Sequence, residues 1–227
     1  MSSWAYEIRL SDRSRFAAGC PAARILGDVI LFNSPVSGNC YKVRLLLAHL
    51  GLEVELRDVS VVDRSNRKEL LGDLNPARRV PTLVLDDGRP LAESNAILCY
   101  FGEGTRFVPE DRYDRARMLQ WMFFEQYEHE PAIAVARFLK AYSGRPEWYD
   151  ARREELTKRG ERALEALEQG LREREWLAGD GMSIADIALY AYTHVADEGG
   201  FSLEPYPAIG AWLARVAAQP GHVPIDA

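Results

Sequence analysis

Two stretches of this 227-residue chain carry side chains able to do chemistry together. The first, Asn33-Ser34-Pro35-Val36-Ser37-Gly38-Asn39-Cys40, sets a hydroxyl, a carboxamide and a thiol within about one helical turn. The second runs Arg79-Val80-Pro81-Thr82-Leu83-Val84-Leu85, through the turn Asp86-Asp87-Gly88, to Pro90-Leu91-Ala92-Glu93-Ser94. Pro81 has no N–H to give a sheet ladder, so it belongs at the mouth of a strand, where the backbone groups of Val80 stay free to pair with an extended ligand. Ser94 is a good N-cap for the run Ala96, Ile97, Tyr100, Phe101, and the amides of that first turn make an anion site. Glu93 beside it offers a counter-charge for an amine. An extended peptide ending in an α-amino acid requires these groups.

The two stretches resemble the glutathione-binding half of the cytosolic glutathione transferases, and the resemblance runs over about residues 29–220. It implies a cis Val80-Pro81 bond, with Val80 meeting the cysteinyl backbone of glutathione, Glu93 its amino group and Ser94 its γ-glutamyl carboxylate. In several classes the residue before Val-Pro also contacts the tripeptide, and here that is Arg79. Whether Arg79, Arg67 or Lys68 reaches the glycyl carboxylate stays open. The family's thiol-activating residue stands five positions before the basic residue of a Lys/Arg-Val-Arg sequence, so Lys42-Val43-Arg44 puts it at Ser37. Some bacterial members pair a hydroxyl with an Asn two residues later, which is Asn39.

Little is asked of Ser37. A free thiol of pKa about 8.5 is only a few per cent thiolate at pH 7. A hydroxyl donor aimed at sulfur contributes ~1.5–3 kcal/mol to the anion, or roughly one to two pKa units. The plainer role for Ser37 is the N-cap of the helix that follows. Ser37-Gly-Asn-Cys40 has the spacing of a Cys-x-x-Cys redox motif without its leading cysteine, so it cannot close a disulfide, and Cys40 reads as buried packing. Cys20 and Cys99 have no partner motif, and three scattered cysteines indicate a reducing, cytoplasmic setting.

Positioning these groups takes an α/β thioredoxin-like N-terminal domain over 29–102 and an all-α C-terminal domain over 112–227, with 1–28 as an extension outside the fold. The apolar run 29–32 reads as a strand, 39–50 as a helix stopped by Gly51, and 54–59 as a second, parallel strand. A short helix near 65–74, a hairpin of 82–85 with 90–92, and the helix from Ser94 complete the unit. Helical patterns follow over 113–128, divided from a continuation to 142 by Pro131, then over 147–171, 184–195 and 208–218. Ser183-Ile-Ala-Asp186 is a capping box, a folding signal that also resembles the family's core-helix motif.

A net charge of −6 disfavours a nucleic-acid partner, and no segment is apolar enough to span a bilayer. The resemblance implies a homodimer that needs no metal, takes glutathione as co-substrate, and binds a small electrophile between its domains. Trp121, on a stripe with Met118, Phe124 and Glu125, is the foremost acceptor contact, with Tyr113 and Arg117 as alternatives; such a stripe also serves as core. Three rivals stand beside conjugation. A zeta-like isomerase carries Ser-Ser-Cys-Ser in this loop, of which Ser37-Gly38-Asn39-Cys40 keeps only the first Ser. A glutathione-dependent disulfide reductase is kept open by Ser37 and Asn39. A non-catalytic transferase-like module would tend to lose the very residues retained here.

Overall fold

In the computed structural model, which describes residues 24–62 and 64–227, the chain opens with β1 (Arg24–Asn33). It continues through α1 (Gly38–Leu50), β2 (Leu52–Asp58), α2 (Arg67–Leu71), β3 (Thr82–Val84), β4 (Pro90–Ala92) and α3 (Ser94–Gly102). The sheet runs β2-β1-β3-β4, with β1 and β2 parallel and the β3/β4 hairpin antiparallel beside β1. Leu31 pairs with Leu83 in the middle of this thioredoxin-like sheet, and both are fully buried against Val43, Leu47 and Ile97.

The expected extension needs correction: β1 begins at Arg24, so 24–28 belong to the sheet. The apolar run marked only the buried half of the strand, because an irregularity between Ile25 and Ile30, with Gly27 at φ 30°, interrupts the pairing and its pattern. Residues 1–23, including Cys20, lie outside the described residues.

The second half is helical: α4 (Arg112–Phe124), α5 (Glu130–Arg137), α6 (Pro146–Asp150), α7 (Arg153–Leu171), α8 (Ile184–Thr193) and α9 (Pro207–Ala217). Asp111 caps α4 by accepting from the amides of Tyr113 and Asp114 at 2.8 and 3.0 Å. The expected helix over 147–171 is two helices, α6 and α7. Pro131 does mark a division, but the break is one turn of π-helix, Glu125–His129, just before it, and a second π turn spans Phe138–Tyr142. A π turn holds one residue more than an α turn, so the side chains beyond it are rotated from where a 3.6-residue period would put them.

The buried core helix α8 ties the two halves together. Its capping box forms as expected: Asp186 accepts from the Ser183 N–H and hydroxyl, each at 2.8 Å, and also from the Trp212 indole N–H at 3.0 Å. Tyr192 on its far end lies against Gly38, where a Cβ would come within 2.5 Å of the ring. Only glycine lets α1 approach that closely.

Candidate active site

Asn75 builds the loop that carries the second stretch. Its Oδ1 accepts from the Ala77 N–H at 2.9 Å, a local turn, while its Nδ2 donates to the Arg79 carbonyl and Thr82 Oγ1, both at 3.0 Å. Those bonds fix the chain on either side of Val80-Pro81, whose peptide bond is cis. Among the described residues no backbone hydrogen bond engages Val80, so its N–H and carbonyl are free, as the proline's place predicts.

The hairpin then delivers Glu93 and Ser94. Helix α3 starts at Ser94 itself, with Glu93 in the cap position. The expectation of Ser94 as N-cap is therefore corrected by one residue. Glu93 stands at φ 69°, a backbone conformation that costs a non-glycine residue of order 1–3 kcal/mol and that clusters at ligand clamps. The hydroxyl of Ser94, 4 % exposed, turns inward: it donates to Asn39 Oδ1 and accepts from Lys42 Nζ, both at 3.3 Å.

Ser37 fills its plainer role. It is the N-cap of α1, its Oγ accepting from the Cys40 N–H at 3.3 Å. Cys40 is wholly buried among Phe32, Val59, Leu71 and Val80, and burial pushes its thiol up to about 11. Such a thiol is inert at neutral pH.

The largest surprise is Lys42, which sequence reasoning used only to set the frame. It is 0 % exposed, and its three ammonium donors meet Asn39 Oδ1 at 2.7 Å, Glu125 Oε1 at 2.7 Å and Ser94 Oγ at 3.3 Å. Glu125, equally buried, also accepts from Asn95 Nδ2 at 3.2 Å and Gln126 Nε2 at 2.8 Å. The Asn39 side chain is thereby fixed, its Nδ2 donating to Glu130 Oε1 at 3.1 Å, and its backbone N–H donates to the Tyr192 hydroxyl at 3.2 Å.

A cavity of about 340 Å³ lies over this network, lined by Asn39, Asn75, Arg79, Val80, Pro81, Glu93, Ser94, Gln126 and Glu130 among others. Every expected glutathione contact except Ser37 lines it, and Ser37 sits two residues before Asn39. Arg79 is an exposed lining residue, whereas Arg67 points elsewhere, its Nε donating to the Ser60 carbonyl at 3.1 Å.

The expected acceptor contacts are not brought there. Trp121 is 7 % exposed, and its ring fills the space over Gly170, where a Cβ would approach it to 2.3 Å. It belongs to the helical core. Arg117 donates to the Leu177 carbonyl at 3.4 Å, and Tyr113 stands out in solvent at 66 % exposure. Asn75, Gln126 and Glu130 line the cavity without having been singled out. The Asn75-Pro76 pair was a readable turn signal; for Gln126 and Glu130 the π turn removed the helical spacing that would have marked them.

Comparison with known proteins agrees with this architecture. Residues 36–103 match the family model for the glutathione S-transferase N-terminal domain, and residues 123–220 the model for the C-terminal domain. A glutathione S-transferase structure from Pseudomonas fluorescens is 49 % identical, with a TM-score of 0.82 over 87 % of this chain and 98 % of that one. Glutathione S-transferase 2 of Anopheles gambiae is 32 % identical over 195 residues, 82 % of this chain and 90 % of that protein. The disulfide-bond oxidoreductase YfcG of Escherichia coli is 27 % identical over 189 residues, 80 % of this chain and 87 % of that protein.

Proposed function

The chain belongs to the glutathione S-transferase family, and from that premise we propose that it conjugates the thiolate of glutathione to an electrophilic carbon of a small molecule. The observation that carries this reading is the single cavity wall shared by Arg79, Val80, cis-Pro81, Glu93 and Ser94. In this reading the free backbone groups of Val80 pair with the cysteinyl residue, the Ser94 amide at the start of α3 meets the γ-glutamyl carboxylate, and Glu93 meets the amine. Arg79 is the basic residue for the glycyl end. The Ser37 hydroxyl accepts from the Cys40 N–H and keeps its own proton to give to sulfur, with Asn39 Nδ2 as the neighbouring donor. Sulfur then forms its bond to the electrophilic carbon while the leaving group departs with its electron pair.

The test is calorimetry with glutathione on the double variant Glu93→Ala/Ser94→Ala. Charge-assisted bonds are worth ~1.5–3 kcal/mol each, so affinity should fall by more than tenfold with the fold intact. Unchanged affinity would reject this site.

A second reading, glutathione-dependent disulfide reduction, is favoured by Asn39 lining the cavity and by the name of the E. coli relative. With Cys40 buried and poorly ionised, that chemistry would use two glutathione molecules: a bound thiolate attacks one sulfur of the disulfide and a second thiol resolves the product. A panel of an aryl halide, hydroxyethyl disulfide and maleylacetone separates the readings, and Cys40→Ser should leave either activity unchanged. We also propose a cytoplasmic homodimer. Tyr100 on α3, and Leu119, Phe123 and Tyr127 at four-residue steps on α4 and its π extension, are exposed large apolar side chains that a second copy would cover.

A further inference from the structure

Removing a proton from a thiol requires a place to put it, and a neutral hydroxyl donor supplies none. Of the ionisable groups packed around the network, several are unsuited. The Lys42 ammonium has no lone pair and its donors are all engaged. His129 faces Thr193 Oγ1 at 2.9 Å and burial pushes it down to about 3, too weak a base. Tyr192 accepts the Asn39 N–H and is held protonated by burial.

Glu130 remains. It begins α5 directly after the π turn, and its carboxylate lines the cavity beside Asn39. Asn39 cannot flip its amide: the oxygen is held by Lys42 and Ser94, so the NH2 end must face Glu130. Glu93, by contrast, stands exposed at the start of α3. The cavity thus has one carboxylate on the rim by the α3 terminus and one held inside by Asn39, two residues from the Ser37 cap.

We propose that Glu130 is the proton acceptor for the thiol of glutathione. A carboxylate oxygen takes the S–H proton, the bonding pair stays on sulfur as thiolate, and the protonated carboxyl then donates to that thiolate until it attacks. The proton leaves to solvent when the product does. This rests on the glutathione reading above. Burial raises the basicity of the carboxylate, with Lys42 opposing, Glu125 adding to the rise, and Asn39 and Arg79 opposing. Tyr192 from α8 and Glu93 across the cavity are the other ionisable groups near it. A base lifted toward the pKa of its proton donor is the more effective one.

The experiment compares the parent chain with the near-isosteric Glu130→Gln and with Glu130→Asp, measuring glutathione affinity by calorimetry and kcat/KM with an aryl halide from about pH 6 to 9. Gln keeps an oxygen for the Asn39 N–H, so affinity should hold within about twofold. Activity at pH 7 should fall, bounded at roughly thirtyfold because a few per cent of a free thiol is already ionised there. It should then climb with pH, by at most about tenfold per unit, and reach the parent at or below about pH 8.5 because Ser37 still donates to sulfur, while Asp stays closer to the parent throughout. A Gln variant that binds glutathione normally and runs parallel to the parent at every pH, or matches it, would overturn the assignment of Glu130 alone. A parent chain that binds no glutathione would overturn the glutathione reading and this assignment with it.

Discussion

The two ends of α1 are both buried against the helical domain, and they solve that burial in opposite ways. Near the start, Lys42 carries a full charge at 0 % exposure and satisfies every donor on Asn39, Ser94 and Glu125. On another face of the helix Tyr41, and two turns farther along His49, meet neutral rings: Tyr41 lies 5.2 Å from His194 and 6.4 Å from Tyr190, and His49 lies 5.7 Å from Phe107. This end holds down the C-terminal segment. The Tyr41 hydroxyl donates to the Val223 carbonyl at 2.8 Å, His49 Nδ1 bonds the Pro220 carbonyl at 2.8 Å, and Arg44 donates to the Ile225 carbonyl. It also leaves His49 Nε2 and His194 Nε2 without partners among the described residues. A neutral ring nitrogen tolerates that at modest cost; an unpaired ammonium would not. The wholly buried ammonium fixes the polarity of Asn39 and Ser94 under the cavity, whereas the joint to the C-terminal segment is held by neutral rings and the half-buried Arg44 guanidinium.

The sharpest way to break the comparison is to remove the charge. Lys42→Met alone strands Glu125, and Glu125→Leu alone strands Lys42; each should cost ~3–5 kcal/mol in urea unfolding. The double variant should recover most of that loss, since two apolar side chains of similar volume bury without desolvation cost. It should still bind glutathione poorly, because the Asn39 carboxamide and the Ser94 hydroxyl lose their common anchor. If the double variant is as unstable as the sum of the singles, the pair is not the source of the stability. If it binds glutathione like the parent, the buried charge has no role in the site.

What could be read from the sequence follows the same division between local and distant contacts. Val80-Pro81, Glu93-Ser94 and Ser183-Asp186 were legible because proline geometry, a hairpin turn and a capping box are set within a few residues. Lys42 was not, because its partner Glu125 lies 83 positions away and nothing in the spacing of either announces the other. The stripe Met118, Trp121, Phe124, Glu125 was seen, but the functional reading went to Trp121. The ring is core against Gly170, and the carboxylate at the end of the stripe is the group that holds Lys42 beneath the cavity. The π turn starting at Glu125 then carried Gln126 and Glu130 to the cavity wall against the 3.6-residue count. Sheet order and helical domain were readable from periodicity. The first residues of β1 were not, because the bulge around Gly27 breaks the alternation.

An intermediate effect should come from acid acting on the neutral end. Burial is the main cause lowering the pKa of His49, His194 and His222, and it takes His129, nearer the charged end, down to about 3. Each folded value lies below the ordinary 6.5 of the unfolded chain, so above that pH both states are neutral and nothing is lost. As pH falls below it the unfolded chain takes up protons that the folded chain refuses, and stability declines until the folded values are reached. Urea midpoints should therefore drop between about pH 7 and pH 5. His194→Phe, which keeps a ring on Tyr190, should flatten that slope, and His129→Asn should flatten it further toward acid. Slopes identical to the parent in both variants would place the acid sensitivity elsewhere, in the carboxylates.

The smallest expected change is at the cap that joins the charged end to the chemistry. Ser37→Ala removes one acceptor, for the Cys40 N–H at 3.3 Å, and a lost cap costs ~1 kcal/mol. That is a shift of a few degrees in thermal unfolding and would be seen whatever the catalytic role of Ser37. The discriminating measurement is the ultraviolet titration of the glutathione thiolate in the complex. If Ser37 donates its proton to sulfur, the variant should move that titration up by roughly one to two pKa units. If stability drops while the titration stays put, Ser37 is a cap and no more, and the donor that steadies the thiolate must be sought at Asn39, whose carboxamide Lys42 already points toward the cavity. The effect of Ser37→Ala would then be confined to α1, and the whole electrostatic task would pass to the buried ammonium in its second turn.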